Sequence, residues 1–347
     1  MYIKKIAISI VLVGLAAMAL FSYFVYNVMF TPNTSFKDEK VYIFISTGSN
    51  YQQVRSDLKP LLKNIKTFDI LAKQKKYISN IKPGKYLIKN GMTNNNIINS
   101  IRANNIPITI SFNNQHTLEL LALRISNQIE ADSLSLINAF KETNFLESNG
   151  FTEQNVLALF LPNSYEFYWN TSPNEFISKI ITSYDRFWNE DRLIKANEIG
   201  LTSTEVSILA SIVQEESRKI NELPRIAGVY INRLKNNWFL QADPTLKFAA
   251  SKNTSFKNKK IKRVLNVHKK IESPYNTYLN IGLPPGLISM PDLASIDAVL
   301  NYEKHNYFYF VADFQRAGFH IFSKDLKSHN KNAKLYHKYL DKIGVKE

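Results

Sequence analysis

The hydrophobic positions of this chain begin with one long run and then break into short, patterned segments. Ile6–Phe30 holds 25 residues without a charged side chain. An apolar helix of about 20 residues spans the hydrocarbon core of a bilayer. Lys4 and Lys5, in the tail 1–5, favour a cytoplasmic N-terminus. The pattern predicts an uncleaved transmembrane helix with the rest of the chain outside the cytoplasm; a signal peptide cleaved near Ala17–Ala19 is the alternative.

Residues 31–40 are polar, include a proline and predict a linker. The next segments, over residues 41–105, predict strand, helix, helix, strand and helix at Val41–Ile45, Tyr51–Leu58, Ile65–Gln74, Lys85–Ile88 and Asn95–Arg102. This order, with Thr47-Gly48-Ser49 after the first strand and Gly84 before the second, resembles that of LysM-type peptidoglycan-binding modules. A small α+β spacer that binds no ligand is the alternative.

The remaining residues, 106–345, predict a larger domain in which helices and strands are segregated along the chain. Strands are predicted at 107–112, 307–312 and 319–322, and helices at 117–129, 131–143, 175–188, 202–218 and 226–234. Segregated elements favour an α+β fold over a regular βαβ repeat. The length of 347 residues also agrees with two folded units.

The amino-acid composition excludes several kinds of catalytic and structural site. The chain has no cysteine and only six histidines, which excludes disulfides, thiolate nucleophiles and Cys-ligated zinc, so we expect neither a metal nor a cofactor. The formal net charge of +15 indicates an anionic partner. Export argues against nucleic acid, which leaves a membrane surface or an acidic polymer. Lys247–Lys270 carries nine basic residues and no acid, and is either a mobile insertion or a contact surface.

One helix carries the clearest candidate for catalysis. A capping box at Thr202 predicts that a helix begins there, in the segment LTSTEVSILASIVQEESR. At helical spacing, Glu216 projects onto the apolar face of this helix. A carboxyl group in apolar surroundings can be held protonated and act as a general acid. The alternative is a structural glutamate that opens to solvent or pairs with Arg225 or Arg233.

Turn-forming clusters follow this helix in the sequence, at 240–245, 273–278 and 282–286. They combine proline and glycine with asparagine, threonine and tyrosine, which fits a binding rim with stacking aromatics and amide hydrogen bonds. Each cluster taken alone favours the interpretation as an ordinary surface loop.

Together these segments resemble the YceG-like family of endolytic murein transglycosylases. The matching pieces are Phe160–Phe167, Ala210–Glu216, Val229–Leu234, Leu240–Thr245, Ser273–Tyr278, Gly282–Gly286, Tyr309–Asp313, His320–Phe322 and His329-Asn330. The resemblance implies that Glu216 is the single catalytic residue. It further implies that sugar hydroxyl and acetamido groups are bound by Gln241, Asp243, Thr245, Tyr275, Asn276 and Tyr278, with His320 assisting.

The chain departs from the family pattern at three places. Gln214 replaces the first acid of the family's Glu-x-Glu pair, so a two-carboxylate scheme at that spacing fails. Asn163 stands where many members have aspartate, and Leu157-Ala158 where Glu-Gly often occurs. These changes put the roles of those positions in doubt, but not that of Glu216.

By the same resemblance, the substrate is the glycan strand of peptidoglycan, cleaved at the β-1,4 bond between N-acetylmuramic acid and N-acetylglucosamine to leave 1,6-anhydro ends. The enzyme would lie in the cytoplasmic membrane with its catalytic domain outside, and cell-wall synthases are candidate partners. Two alternatives stay open: a hydrolytic muramidase that uses Glu216 with a second carboxylate such as Asp243, and a membrane-anchored wall-binding scaffold without catalysis.

Overall fold

The computed structural model describes residues 2–254, 261 and 264–342 of the chain. It mixes helices with small two-stranded sheets. The chain divides into two compact units, which are described separately below. The first comprises Met1–Ile110, Gln128–Ala131 and Tyr165–Ser172, and the second comprises Ser111–Asn127, Asp132–Ser164 and Pro173–Glu347.

Helix α1, Tyr2–Phe30, is long and apolar enough to cross a membrane, as the sequence predicts. Its side chains are exposed as far as Phe24. Near its C-terminal end, Val28 is buried in the core of the first unit. The Nδ2 atom of Asn94 donates a hydrogen bond of 2.9 Å to the carbonyl oxygen of Val28. The end of α1 is therefore part of the packing of the first unit.

The first unit contains the predicted strands and helices, with ends that shift by at most one residue. They are β1 (Lys40–Ile45), α2 (Tyr51–Leu58), α3 (Ile65–Gln74), β2 (Gly84–Lys89) and α4 (Asn94–Ala103). Strands β1 and β2 pair antiparallel, with Ile43 opposite Tyr86. Both of these side chains are buried, because alternate residues of each strand face the helices.

The segment predicted as a linker, 31–40, packs within this unit. Asn33 is 5% exposed, and its Nδ2 atom donates to the carbonyl oxygen of Asn64 at 2.9 Å and to Oδ1 of Asn94 at 2.6 Å. Its Oδ1 atom accepts from the backbone N–H of Asn64 at 2.8 Å. These hydrogen bonds connect the segment to the starts of α3 and α4, so a polar composition here supports packing through a buried amide network.

The second unit holds most of the helices. The helices from α5 onward are α5 (Leu118–Ser126), α6 (Ser133–Phe140), α7 (Thr143–Ser148), α8 (Pro173–Phe187), α9 (Glu190–Ile199), α10 (Ser203–Glu216), α11 (Leu223–Lys235), α12 (Asp243–Lys252), α13 (Leu293–Leu300) and α14 (Leu326–Lys342). Strands β3 (Pro107–Phe112) and β4 (Asn163–Tyr168) pair with each other, and most of their residues belong to the first unit. The second unit contains β5 (Tyr309–Ala312), paired antiparallel with β6 (His320–Ser323). The helix predicted at 131–143 is α6, which ends three residues earlier than predicted, at Phe140. A further helix, α7, begins at Thr143, where the Glu142 side chain caps its start.

Helix α10 is the buried centre of this unit. The predicted capping box is present: the Thr202 hydroxyl accepts from the backbone N–H of Glu205 at 3.2 Å, and the Glu205 carboxylate accepts from the backbone N–H of Thr202 at 2.8 Å. All residues from Val206 to Val213 are buried. Helices α9, α11, α12 and α13 contact this helix. Such burial fixes the direction in which the last turn of α10 points its side chains.

A close approach on α11 positions the chain that leads into β5. A Cβ atom on Gly228 would lie 2.4 Å from the carbonyl oxygen of Glu303, so only glycine fits there. One turn further along α11, the Nδ2 atom of Asn232 donates to the carbonyl oxygens of His305 at 2.8 Å and Tyr307 at 2.9 Å. These contacts hold the chain that leads into β5 against α11.

Candidate active site

Glu216 is the last residue of α10, which ends there because Ser217 adopts an extended conformation. Glu216 is half-buried. Its Oε1 atom accepts a hydrogen bond of 2.5 Å from the hydroxyl of Tyr230, a buried residue of α11. The carboxyl group predicted from helical periodicity therefore lies on a largely apolar face, held by one tyrosine.

The surroundings of Glu216 favour its neutral form. Burial is the largest influence and raises the pKa of its carboxyl group from 4.5 to about 7. The hydrogen bond from Tyr230 acts in the opposite direction, the negative charge of Asp243 raises the pKa further, and the charges of Lys247 and Arg233 lower it. A pKa near neutrality suits a group that must first donate a proton and later accept one.

Neither arginine that the sequence offered as a partner forms an ion pair with Glu216. Arg225 pairs with Glu303, with 2.9 Å between Nε and Oε2. Arg233 is buried, and its guanidinium donates to the carbonyl oxygens of Phe308 and Leu240. The Arg233 charge therefore acts on Glu216 only at a distance, while its hydrogen bonds join α11 to the residue before β5 and to the loop before α12.

Three of the predicted substrate-binding residues have access to solvent near the start of α12. Gln241 and Asp243 are exposed, and Tyr278 is half-buried. The Tyr278 hydroxyl donates a hydrogen bond of 2.7 Å to Oδ1 of Asp243. Gln241 has φ +47°, which is unusual for a residue with a side chain, and its backbone N–H donates to the carbonyl oxygen of Thr277 at 3.0 Å. The rim thus presents an amide, a carboxylate and a phenol to solvent.

Two other predicted binding residues are buried and bonded internally. The Thr245 hydroxyl donates to the carbonyl oxygen of Ala242 at 2.7 Å and lies 2.9 Å from the Thr277 hydroxyl. Asn276 donates from Nδ2 to the carbonyl oxygens of Lys269 and Ile271, at 3.0 and 2.8 Å. Both residues are fully buried. In this conformation they shape the rim rather than face a ligand.

Tyr275 is half-buried and packs on Phe248 of α12, with the ring centroids 4.7 Å apart. Burial raises the pKa of its hydroxyl, which stays protonated at neutral pH. The basic run Lys247–Lys270, to which Phe248 belongs, lies in part outside the described residues.

His320, on β6, is held by a carboxylate that the sequence had not singled out. Glu222 is 5% exposed. Its Oε2 atom lies 2.8 Å from Nδ1 of His320, and its Oε1 atom accepts from the His320 backbone N–H, also at 2.8 Å. The Ser217 hydroxyl donates to Oε2 of Glu222 at 3.4 Å. His320 is thereby connected to the residue that follows Glu216.

A second connection between His320 and the Glu216 carboxyl group runs through edge-on contacts between aromatic rings. The ring of Phe310 packs edge-on against that of His320, with centroids 5.2 Å apart, and against that of Tyr230, with centroids 5.9 Å apart. No local sequence pattern marked Glu222 or Tyr230 as a functional residue. An acid before Leu-Pro is typical of a helix start. A tyrosine on an apolar helix face is typical of a core position.

The hydrogen bonds of Gln214 explain why an amide can replace the acid of the family pattern at this position. Its Nε2 atom donates to the carbonyl oxygen of Met290 at 3.2 Å. Its Oε1 atom accepts from the backbone N–H of Asp292 at 2.6 Å and from the Ser295 hydroxyl at 3.1 Å. An ionised carboxylate accepts hydrogen bonds only, so an amide satisfies all three partners. A glutamate could not donate to the Met290 carbonyl, which would keep only its hydrogen bond of 3.1 Å from Nδ2 of Asn114 among the described residues.

The other departures from the family pattern lie in ordinary structural positions. Leu157 and Ala158 are buried in a short 3-10 turn, and Oδ1 of Asn163 accepts from the backbone N–H of Ser164 at 2.7 Å. Within residues 2–254, 261 and 264–342, no three His, Cys, Asp or Glu side chains are grouped as they would be around a metal ion.

Comparison with known proteins agrees with this arrangement. The model of the YceG-like family matches residues 43–335. This chain belongs to the YceG-like family. It is 29% identical to the endolytic murein transglycosylase of Bacillus subtilis (strain 168) over 325 residues, which cover 86% of each protein. The endolytic murein transglycosylase of Streptococcus pneumoniae (strain D39) is 25% identical, over 96% of this chain and 65% of the relative.

A solved structure supports the fold of this YceG-like chain. The crystal structure of a YceG-like protein from Listeria monocytogenes superposes with a TM-score of 0.54 at 24% identity. The match covers 85% of this chain and 99% of that protein.

Proposed function

We propose that this protein is a membrane-anchored endolytic transglycosylase of peptidoglycan, with Glu216 as its one catalytic acid and base. The observation that carries the proposal is the half-buried Glu216 carboxyl group, whose pKa is raised to about 7 at the edge of a polar rim. Family membership and relatives with this activity support the same reaction.

In the first step, the neutral Glu216 gives its proton to the oxygen that leaves C1 of an N-acetylmuramic acid unit, and the C1–O4 bond breaks. In the second step, the Glu216 carboxylate takes the proton from the C6 hydroxyl of the same sugar while that oxygen bonds to C1. The products are a 1,6-anhydro end and a free 4-hydroxyl. The carboxyl group returns to its protonated form and no water is consumed, so one acid performs both steps.

The solvent-facing residues of the rim supply the sugar contacts in this proposal. Gln241 and Asp243 offer an amide and a carboxylate to hydroxyl and acetamido groups, and the rings of Tyr275 and Tyr278 offer apolar faces for stacking on sugars. Thr245 and Asn276, both buried, hold these loops in place. His320 belongs to the same set as an assisting residue that is held by Glu222.

We include in the proposal that α1 anchors the protein in the cytoplasmic membrane with the second unit outside. Lys4 and Lys5 support this orientation. The positive charge of the chain suits both anionic lipid headgroups and the carboxylates of the wall polymer. The LysM-like character of residues 41–105 and an association with cell-wall synthases stay parts of the proposal that rest on family resemblance.

The test is digestion of isolated sacculi by the full chain in detergent, with products separated and identified by mass spectrometry. The wild-type protein should release fragments with 1,6-anhydro ends, and Glu216→Gln should release none above background while still binding sacculi. Glu215→Gln is the matched control, because Glu215 is the exposed neighbour and, within the described part of the chain, accepts only from Ser289 at 3.1 Å. Undiminished cleavage by Glu216→Gln would refute the proposal.

A hydrolytic muramidase is the second candidate, because Asp243 is close enough for its charge to raise the pKa of Glu216. A hydrolase of that kind needs a second carboxylate to activate water or to attack the sugar. Its products would carry reducing ends without anhydro sugars, and Asp243→Asn would abolish cleavage. In the transglycosylase proposal the same substitution weakens substrate binding and leaves the anhydro product unchanged.

A further inference from the structure

The hydrogen bond between Tyr230 and Glu216 distinguishes the two oxygens of the carboxyl group. The Tyr230 hydroxyl donates to Oε1 at 2.5 Å. Among the described residues, Oε2 receives no hydrogen bond, and the side chain has solvent access. A proton shared with a substrate must lie on an oxygen that the substrate can reach.

We propose that Tyr230 is a positioning residue which holds Oε1 of Glu216 as the spectator oxygen and leaves Oε2 as the oxygen that exchanges the proton with the glycan. This inference rests on the proposed function, because it assigns roles within that acid–base cycle.

The tyrosine is itself held rigidly. Tyr230 is 1% exposed. Phe310 packs edge-on against its ring at a centroid distance of 5.9 Å and an angle of 88°. The Arg233 guanidinium lies 5.9 Å from the centroid of the same ring. Burial raises the pKa of the Tyr230 hydroxyl well above its ordinary value, so this hydroxyl stays protonated and can only donate to the carboxylate.

The chemistry follows from this fixed donor. When Oε2 gives its proton to the glycosidic oxygen, the carboxylate that remains carries a negative charge, and the Tyr230 hydroxyl stabilises it at Oε1. When Oε2 takes the proton from the C6 hydroxyl, the charge disappears and the hydrogen bond weakens. Tyr230 therefore assists proton release in the first step without taking up or giving a proton itself.

The other charged and titratable groups around Glu216 come from three elements. They are Arg233 on α11, Asp243 and Lys247 on α12, and Tyr278 in the loop whose hydroxyl bonds Asp243. None of them donates to the carboxyl group in the described residues. Removing the Tyr230 hydroxyl therefore removes the one direct donor that the described residues supply and leaves these longer-range charges in place.

The experiment measures kcat/KM against pH for the full chain in detergent, with purified glycan strands as substrate. In Tyr230→Phe the carboxylate loses its donor, so the pKa of Glu216 should rise and the basic limb of the profile should move to higher pH by about one unit. We also expect kcat on the acidic plateau to fall about tenfold, because the carboxyl group is less well oriented, while KM stays unchanged.

Tyr184→Phe is the matched control. Tyr184 is also a buried tyrosine of the second unit, and its hydroxyl bonds the Ser203 hydroxyl at 3.0 Å. This control should keep the wild-type pH profile. A Tyr230→Phe profile that superposes on the wild-type profile overturns the inference, as does a loss of activity without a shift of the basic limb.

A second variant covers the case in which Tyr230→Phe does not fold. Tyr230→3-fluorotyrosine keeps the ring and the hydroxyl but makes the hydroxyl a stronger donor, so the basic limb should move to lower pH. An unmoved limb overturns the inference. Because Glu216→Gln tests the catalytic carboxyl group separately, the inference can fail while the proposed function stands.

Discussion

The end of α10 and the short turn that follows it hold two carboxyl groups in contrasting surroundings. Glu216 is half-buried and accepts one hydrogen bond from the residues that the structure describes, that of Tyr230. Glu222 is more deeply buried but accepts from the backbone and ring of His320 and from the Ser217 hydroxyl. Burial alone therefore does not make a carboxyl group reactive. The number of donors distinguishes the group suited to proton transfer from the group that holds the structure.

The largest expected effect separates the two carboxyl groups by function. Glu216→Gln should lower the rate of glycan cleavage by about a thousandfold, within the range that a general acid–base contributes. The melting temperature should be unchanged or higher, because an uncharged amide replaces a poorly solvated acid. Initial rates and thermal melts of the same preparations check both statements. A variant that lost stability together with activity would make Glu216 resemble Glu222 and would break the comparison.

The second prediction is that substitutions at Glu222 reduce the stability of the protein more than its activity. Glu222→Ala should lower the free energy of unfolding by about 3 kcal/mol, because it leaves the backbone N–H and the ring of His320 without their buried acceptor. Glu222→Gln should cost about 1 kcal/mol, since the amide oxygen can still accept from the backbone of His320. Denaturant unfolding of the full chain in detergent measures both.

Cleavage by Glu222→Gln should keep at least about a tenth of the wild-type rate, because Glu222 acts only through the position of Ser217 and His320. A rate as low as that of Glu216→Gln, with stability retained, would place Glu222 in the chemistry.

The third prediction concerns stability against pH. Folding raises the pKa of Glu216 from 4.5 to about 7, so the folded state binds this proton more tightly than the unfolded state. Its contribution therefore favours folding below pH 4.5 and is lost as the pH rises through 7, by up to about 3 kcal/mol.

Glu216→Gln does not titrate at this position. The unfolding free energy of the wild type minus that of Glu216→Gln should thus fall across this window and stay constant above it. Unfolding curves at a series of pH values supply the measurement. A difference that does not vary with pH would contradict the raised pKa.

The smallest expected effect belongs to Glu215, the exposed neighbour of Glu216. Glu215→Gln should change the rate less than about twofold and the free energy of unfolding by less than about 0.5 kcal/mol, as surface substitutions usually do. The same rate and melting assays measure it. A large loss of activity would show that the end of α10 needs two acids rather than one.

Local rules were sufficient to predict the helix that carries the candidate acid. The capping box at Thr202 fixed the start of α10, and helical spacing placed Glu216 on its buried face. The strands and helices of residues 41–105 were predicted to within one residue, because turn residues and β-branched segments mark their ends.

Contacts between distant residues could not be predicted from such patterns. Glu222 and His320 are 98 positions apart, and Tyr230 reaches Glu216 only because α11 packs against α10. Likewise, the side chains of the motif residues Thr245 and Asn276 form internal hydrogen bonds, and these bonds depend on how two loops pack together. Nothing in the local sequence indicated that Gln128–Ala131 and Tyr165–Ser172 join the first unit.

The most direct test of a single acid–base carboxyl group is the fate of solvent oxygen during cleavage. Sacculi are digested by the full wild-type chain in water enriched in oxygen-18, and the new glycan ends are analysed by mass spectrometry. If Glu216 serves both steps, the new ends are 1,6-anhydro sugars without the heavy oxygen. Reducing ends that carry oxygen-18 would mean that water attacks the sugar, and would contradict the transglycosylase mechanism.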